Sequence, residues 1–335
     1  MTIRIKNDRI EFTANGSSNT YTLRETANGF NFNGVIQASN IIEDGFQGTV
    51  AGFSMAGIAP PGSTTIDRYP FATDENGVRA GDLTSATYYS SGLSSRTHGY
   101  VAGSYVSGNV IRKFSFASPA AASQFGSLTS PRGISGSEGQ SSSTHGYVAG
   151  GSPPFPSGSN VIDKFSFAID AAATDVGDLV NGRYGPFGHS STTSGYSSGG
   201  QNPGYLTSIN KFPFATDTNA TSVGSLTQAR GYSGAQSSTT HGYNGGGLLP
   251  GSPAYSNTID KFPFSTDTNA TDVGDLTQAR GISSGSSSTS FGYVAGGTTG
   301  SLVNTIDKFP FSADSNATDV GDLGRLLSGS SGAQD

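Results

Sequence analysis

The chain of 335 residues contains no cysteine, which excludes disulfide bonds and thiolate metal sites. Tryptophan is also absent, and charged residues make up only 13% of the sequence. Lys and Arg are scattered singly and the formal net charge is -6, so the chain offers no basic patch to the phosphate backbone of a nucleic acid. Nucleic acid is therefore not an expected partner.

Long apolar runs are absent as well. The opening residues, MTIRIKNDRIEF, alternate apolar and polar, unlike a signal peptide, and no run reaches the roughly 20 residues of a membrane-spanning helix. We expect synthesis in the cytoplasm without an export signal, and no membrane insertion. Glycine is abundant, with 49 residues, and 20 Phe and 14 Tyr recur in a regular phase that favours a packed core over disorder.

The leucine that ends each VGDL-like segment marks six copies of one unit. Successive leucines are 45 to 51 residues apart, and the second Phe of each KFxF segment repeats with the same spacing. The six leucines are Leu83, Leu128, Leu179, Leu226, Leu276 and Leu323. A unit of fixed length with one variable loop is a structural repeat.

Each copy contains four short stretches that read as strands, which is typical of a β-propeller blade. In the last copy they are residues 281–287, 291–297, 304–311 and 317–323. The first stretch is rich in Gly and Ser and should lie nearest the axis, where large side chains would collide. Alternation along the third stretch should direct its Phe residues between blades.

The two ends of the repeat region complement each other. Residues 328–334 resemble a first strand with no second strand after it, and the copy that begins at Gly48 lacks a first strand. We therefore predict an all-β, six-bladed β-propeller of four-stranded blades over residues 45–335, closed by pairing of its N- and C-terminal segments. Residues 1–44 do not repeat, and their four alternating stretches predict a small β-appendage for attachment or oligomerisation.

Two resemblances follow from the repeat. LTQARGYSGAQSSTTHGYNGGG followed by NTIDKFPF resembles the kelch pattern, with Phe where kelch units carry Trp. Strings such as DKFPFSTDTNATDVGDLT and THGYVAGG, and the opening TIRIKNDRIEFTANGSSNTYTLRE, are similar to structural proteins of tailed bacteriophages. The second resemblance covers about 290 residues.

The phage resemblance implies a virion protein that is not an enzyme, on a tail fibre or on a tail or capsid appendage. Its propeller would bind a host-surface glycan or protein, or a neighbouring virion protein, and residues 1–44 would join a homo-oligomer to other virion proteins. A structural connector or capsid decoration protein is the first alternative, and a glycan-degrading enzyme is the second. No residues read as a catalytic set, and no cofactor is expected.

Four arginines occupy one place in the repeat, shortly after the marker leucine. They are Arg132, Arg183, Arg230 and Arg280. A partial ring of guanidinium groups at one channel mouth would bind carboxylates, sulfates or anionic sugars. The alternative, which we favour, is that each Arg bonds backbone carbonyls at a turn between blades, because a residue repeated in register usually serves the repeat.

The loop between the second and third strands varies in length and is the other candidate binding region. In blades three and five it carries Phe155, Leu248, Leu249 and Tyr255. Aromatic residues on variable loops of a rigid scaffold suit sugar rings or a neighbouring protein. Coverage of a blade edge is an equally weighted interpretation.

Three further patterns read as structural. His98, His145 and His241 share one repeat position, but equivalent positions in separate blades stand too far apart to hold one metal ion. The Asp-rich turns have a spacing faintly like a Ca²⁺ loop, and weak Ca²⁺ binding stays open. The Asn-Ala-Thr sequons at Asn219, Asn269 and Asn316 follow from the turn sequence.

Overall fold

A computed structural model describes four strands within residues 2–32 and then residues 46–58, 62–106, 108–119, 122–133, 138–152, 157–251 and 254–335. The chain divides into two compact units, Met1–Glu43 and Asp44–Asp335. Every regular element in the described residues is a β-strand.

The N-terminal unit is a four-stranded antiparallel meander. Its strands are β1 (Thr2–Lys6), β2 (Arg9–Thr13), β3 (Thr20–Thr26) and β4 (Gly29–Phe32). The register pairs Ile5 with Ile10, and Ile10 with Leu23, so the alternating pattern of the sequence is kept across the sheet. These four strands confirm the predicted β-appendage.

The second unit is a propeller of six antiparallel four-stranded blades. Blade one contains β5 (Ala51–Met55), β6 (Thr65–Pro70) and β7 (Val78–Asp82) with β28 (Ser331–Gln334) as its innermost strand. Blade two contains β8 (Ser91–Ser94), β9 (His98–Ser104), β10 (Gly108–Ser115) and β11 (Ser123–Ser127). Blade three contains β12 (Gln140–Ser141), β13 (His145–Ala149), β14 (Ser159–Ser166) and β15 (Thr174–Arg183).

The remaining three blades keep the same order from the axis outward. Blade four contains β16 (Phe187–Ser190), β17 (Ser194–Ser198), β18 (Ser208–Pro213) and β19 (Thr221–Ser225). Blade five contains β20 (Gly234–Ser237), β21 (His241–Leu248), β22 (Tyr255–Pro263) and β23 (Thr271–Asp275). Blade six contains β24 (Ser284–Ser287), β25 (Phe291–Thr298), β26 (Leu302–Pro310) and β27 (Thr318–Asp322).

The ring is closed by the end of the chain, as the sequence predicts. Strand β28 pairs antiparallel with β5, so that Ser331 lies opposite Met55 and Gln334 opposite Gly52. The final residue extends this pairing, because the backbone N–H of Asp335 donates to the carbonyl of Ala51 at 2.9 Å. One sheet is thus shared between distant segments, and blade one has no open inner edge.

Aromatic side chains fill the space between adjacent blades. At every interface a ring of one blade stacks on the Phe that directly follows the third strand of a neighbouring blade, with centroids 4.7 to 5.0 Å apart and planes inclined by 23 to 25°. The pairs are Phe53–Phe116, Tyr100–Phe167, Tyr147–Phe214, Tyr196–Phe264, Tyr243–Phe311 and Tyr293–Phe71. The prediction that these Phe residues pack between blades is confirmed.

The innermost strands converge on the axis and contact each other in a closed circuit. Their backbones approach so closely that a Cβ on Gly332 would overlap the carbonyl oxygen of Gly285, and a Cβ on Gly92 would overlap that of Gly332. The Gly-rich composition of these strands therefore has a direct steric cause, and glycine is required there by space rather than by backbone conformation.

We expect Gly332→Ala to destabilise the propeller by about 1–3 kcal/mol or more, because the added methyl forces two inner strands apart. Urea unfolding followed by circular dichroism measures the change. Gly204→Ala is the matched control, since nothing lies within 4 Å of the Cβ that it would add. Equal stability of the two variants would contradict the close approach at the axis.

Candidate binding face around the channel mouth

The four repeated arginines lie inside the blades. Arg280 donates from Nη1 to the Asp307 carboxylate at 2.9 Å and from Nη2 to the carbonyl of Val294 at 3.0 Å. The same carboxylate accepts from the backbone N–H of Thr277 at 3.0 Å and from its hydroxyl at 2.6 Å. Both charged side chains are fully buried. The connector after blade five is thereby bonded to the third strand of blade six.

The other repeated arginines make related contacts. Buried ion pairs join Arg132 to Asp163 at 2.6 Å and Arg230 to Asp260 at 3.0 Å. Arg183 meets Asn210 at 3.0 Å and donates to backbone carbonyls, including that of Gly199 at 3.0 Å. These guanidinium groups face the protein interior, where an anionic ligand at the channel mouth would not reach them. Their geometry matches the interpretation that each Arg bonds groups at a junction between blades.

The Asp- and Asn-rich turns also bond adjacent blades. The side-chain oxygen of Asn316 accepts the backbone N–H of Asp275 at 3.0 Å, and Asn219 and Asn269 make the same bond to the outer strands of blades three and four. Lys261 pairs with Asp314 at 2.8 Å across the same interface. The in-register Asn residues therefore have a structural reason. Within the described residues, no three Asp, Glu or His side chains are grouped closely enough to hold a metal ion.

The repeated histidines contact residues of their own strand and turn. The Nδ1 atoms of His98, His145 and His241 each lie 2.8 Å from the hydroxyl oxygen of the preceding Thr. Each imidazole ring also packs at an angle against the ring of the Tyr two residues later, with centroids 6.3 to 6.4 Å apart. They stand in blades two, three and five, apart from one another, as the sequence analysis expects.

A closed ring of hydrogen bonds surrounds the axis near one mouth of the channel. Each inner strand donates a backbone N–H to a side-chain oxygen of a neighbouring inner strand, at 2.9 to 3.4 Å. We call its members the serine ring, which consists of Ser94, Ser141, Ser190, Ser237, Ser287 and Gln334. All six blades are bonded together by this ring.

The axial channel is narrow at the serine ring. The space lined by the serine ring, Phe46 and Glu138 is about 20 Å³, which is room for about one water molecule. Phe46 is only 5% exposed and precedes blade one. This part of the channel therefore has no room for a ligand larger than water.

The Glu138 side chain reaches across the axis to the opposite blades. Nothing in the sequence around Glu138 predicts this position. It precedes β12 in blade three, and its Oε2 accepts the backbone N–H of Ala235 at 2.6 Å while Oε1 accepts that of Gly285. Burial raises the pKa of its carboxyl to about 8, and the two N–H donors oppose that rise because they favour the ionised form. The side chain thus links blade three to blades five and six.

The opposite mouth of the channel has a rim of residues in the left-handed conformation. They belong to the connectors between blades, and Tyr89, Tyr232 and Ile282 have φ of 55°, 61° and 59°. This conformation costs a non-glycine residue about 1–2 kcal/mol. Equivalent positions in other connectors are Gly185 and Gly329, with φ of 62° and 66°.

Backbone hydrogen bonds between adjacent connectors hold this rim. Gly329 donates to the carbonyl of Ile282, Ile282 to Tyr232, Tyr232 to Gly185 and Tyr89 to Gly329, at 2.5 to 2.9 Å. The strained conformations of the Tyr and Ile residues are therefore fixed by neighbouring blades. Non-glycine residues in such conformations concentrate at functional sites, which makes the rim a candidate.

Two tyrosine clusters stand on this face, which also carries the variable loops. In the first, Tyr88 stacks on Tyr105 at 5.9 Å and 26°, and meets Tyr89 edge-on at 5.4 Å and 75°. In the second, Tyr232 meets Tyr184 and Tyr205 edge-on at 6.1 and 6.4 Å. Clusters of this kind are a common composition of recognition surfaces.

The predicted loop residues are partly placed by the structure. Leu248 pairs with Tyr255 where β21 turns into β22, and Leu249 donates its backbone N–H to Ala254 at 3.0 Å. All three predicted residues of blade five are half-buried on the loop face. Phe155 lies outside the described residues.

Sequence reasoning missed Glu138 and the tyrosines of the connectors. A signal was present in the breaks of the repeat. Thr87 and Tyr88 occupy the place of the Arg-Gly pair found in three other connectors, and Arg112 stands where four blades carry Asp and blade four carries Asn. These residues break the repeat, so no periodic pattern marks them.

Comparisons with known proteins return no match: no family model fits the sequence, and no curated protein is similar to it. Over the described ranges, no helix has the length and apolar character required to cross a membrane. The fold assignment therefore rests on the strand order and closure described above.

We expect Asp307→Ala to cost about 3–5 kcal/mol of unfolding free energy, because it leaves the buried guanidinium of Arg280 without its charge partner. Asp314→Ala is the matched control, since it removes the exposed partner of Lys261, and should change stability by less than about 1 kcal/mol. Chemical denaturation measures both. Similar losses in the two variants would contradict a structural role specific to the buried pair.

We expect Glu138→Gln to gain stability relative to the native chain as pH rises. The carboxyl has a pKa near 4.5 when unfolded and about 8 when folded, so its contribution is fully present below pH 4.5 and is lost as pH rises toward 8. The difference should reach on the order of a few kcal/mol. Urea unfolding from pH 4.5 to 8.5 measures it, with the exposed Glu75→Gln as control. A pH-independent difference would refute the burial effect.

Proposed function

We propose that this chain is a non-enzymatic virion protein of a tailed bacteriophage, part of a tail fibre or of a tail or capsid appendage. The kelch-like blades and the DKFPF-type repeats, with the opening strands, are the sequence features that support it. In this proposal the propeller binds a host-surface component or a neighbouring virion protein, and residues 1–44 attach the chain to its homo-oligomeric assembly.

The observation that carries a binding role is the concentration of tyrosines and variable loops on one face of a rigid propeller. Tyr105, a member of the first tyrosine cluster, is 65% exposed, and the adjacent Val106 is 59% exposed. Adjacent large apolar side chains that are exposed beside half-buried aromatic rings suit an interaction surface. The cross-blade bonds of the rim keep that surface preorganised, which limits the entropy lost on binding.

A structural connector or capsid decoration protein is the alternative that the same features allow. The ladders of Arg–Asp, Lys–Asp and Asn contacts between blades would suit such a role, since they stiffen the ring against deformation. The two functions differ in whether the loop face meets the host cell or another virion protein.

The test is adsorption of the purified full chain to host cells, measured with a fluorescent label. Replacing residues 249–254 by a short Gly-Ser turn should reduce adsorption at least tenfold, because it removes part of the loop face. Replacing residues 168–170, at the opposite end of blade three, is the control and should leave adsorption unchanged.

Immunogold labelling of intact particles separates the alternatives. Gold at the distal tail supports host recognition, whereas gold over the capsid, with no adsorption of the free chain, supports the decoration role. Absence of labelling from every particle would overturn the virion assignment.

A further inference from the structure

We propose that the corner formed by Tyr88, Tyr89 and Tyr105 binds the pyranose ring of a neutral surface carbohydrate. This deepens the binding role proposed above and rests on it. The corner lies on the loop face of blade two, where the connector from blade one meets the loop between β9 and β10.

The corner departs from the repeat that surrounds it. The backbone N–H of Tyr105 donates to the carbonyl of Tyr88 at 3.2 Å, and the same cross-strand contact in blades five and six joins Gly231 to Leu248 and Gly281 to Thr298. Only in blade two, among the described contacts of this kind, do two aromatic side chains face each other. Residues in register serve the repeat, so this exception needs another reason.

The ring geometry leaves an aromatic platform open to solvent. Tyr88 and Tyr105 are nearly parallel, at 26°, and Tyr89 meets the Tyr88 ring edge-on at 75°. Tyr105 is 65% exposed, so one face of the stack is accessible. An exposed aromatic face fits one side of a saturated six-membered ring, whose C–H groups pack on the π-system.

The backbone holds this platform in place. Tyr89 has the left-handed φ of 55° and is fixed by its bond to Gly329, while its ring lies about where a side chain on Gly329 would stand. The hydroxyl of Ser104 donates to the carbonyl of Tyr88 at 3.1 Å and braces the other side. Little conformational entropy remains to be lost when a ligand is bound.

The chemistry of the corner indicates a neutral ligand. Residues 84–90 and 104–106 contain no Asp, Glu, Lys or Arg, and they present phenol and alcohol groups that donate and accept hydrogen bonds. The guanidinium of Arg112 donates to the hydroxyls of Thr84 and Ser85 at 3.1 and 2.7 Å, but Arg112 is only 4% exposed, so its charge is used within the protein. Aromatic faces beside uncharged hydroxyl groups suit a carbohydrate, which offers both C–H faces and hydroxyls. Burial raises the pKa of Tyr89, so this phenol stays protonated at neutral pH.

The rings of the second tyrosine cluster pack mainly against the protein itself. Tyr184 is only 3% exposed, the Tyr232 hydroxyl donates to the side-chain oxygen of Gln201 at 3.3 Å, and the Tyr232 ring covers Gly185. Those rings are engaged with the protein itself. Tyr89 covers Gly329 in the same way, so the difference between the two clusters is the exposed face of Tyr105, which makes the first cluster the better platform.

The test is saturation-transfer difference NMR of the full chain with neutral oligosaccharides built on glucose, galactose and N-acetylglucosamine. We expect transfer to the C–H protons of at least one sugar, with at least tenfold weaker binding in Tyr105→Ala and near-native binding in Tyr105→Phe, which keeps the aromatic face. Ile169→Ala removes a side chain of similar exposure, 63%, from the opposite end of blade three and should bind like the native chain.

No transfer to any sugar, or equal binding by native protein and Tyr105→Ala, would overturn the carbohydrate site. A second experiment separates failure of the carbohydrate site from failure of the proposed host-binding function. It measures adsorption of the chain to host cells treated with periodate, which oxidises carbohydrate, or with protease. Loss of adsorption after periodate alone supports the sugar ligand, whereas loss after protease alone assigns a protein ligand and overturns the site while leaving the binding role intact. Thermal melts of each variant confirm that it is folded.

Discussion

The close approach of the six inner strands is the constraint on which the rest of this structure depends. Because backbone meets backbone at the axis, the inner strands must carry glycine and serine, as at Gly92 and Gly332. Such strands bury little apolar area, so the stabilising contacts lie farther out, in the stacked rings between blades and the buried Arg–Asp pairs. The serine ring and Glu138 satisfy the polar groups that this narrow axis brings together.

The narrow axis limits what can bind at the serine ring. That part of the channel has room for about one water molecule, so the two outer faces are where we look for a larger ligand. The two faces differ in chemistry. One carries short turns whose Asp, Asn and His side chains bond their own or a neighbouring blade, and the other carries longer loops, strained connectors and the tyrosine clusters with the exposed Tyr105. The second face is therefore where we propose binding.

Repeated and unrepeated residues carry different information in this chain. The repeated residues Asp307, Asn316 and Phe311 all bond or pack against an adjacent blade. Because repeated residues contact the adjacent blade, the spacing of the repeat predicts the six blades, the closure of the ring and the packing of Phe residues between blades. For the four arginines the structural interpretation was favoured from the sequence, and their buried partners, Asp for three of them and Asn210 for Arg183, came only from the structure. The individual tyrosines of blade two, and Glu138, have no periodic signal to mark them.

The sequence by itself determined the architecture, because a period of 45 to 51 residues with four alternating stretches leaves each unit unable to bury its faces except against a copy of itself. It also determined the shared blade, since one end lacks the strand that the other end supplies. Only the tertiary structure decided which side chains reach solvent and which are used internally. That outcome depends on distances between blades, such as those that bury Arg280 and leave Tyr105 exposed, and the order of residues along the chain does not encode these distances locally.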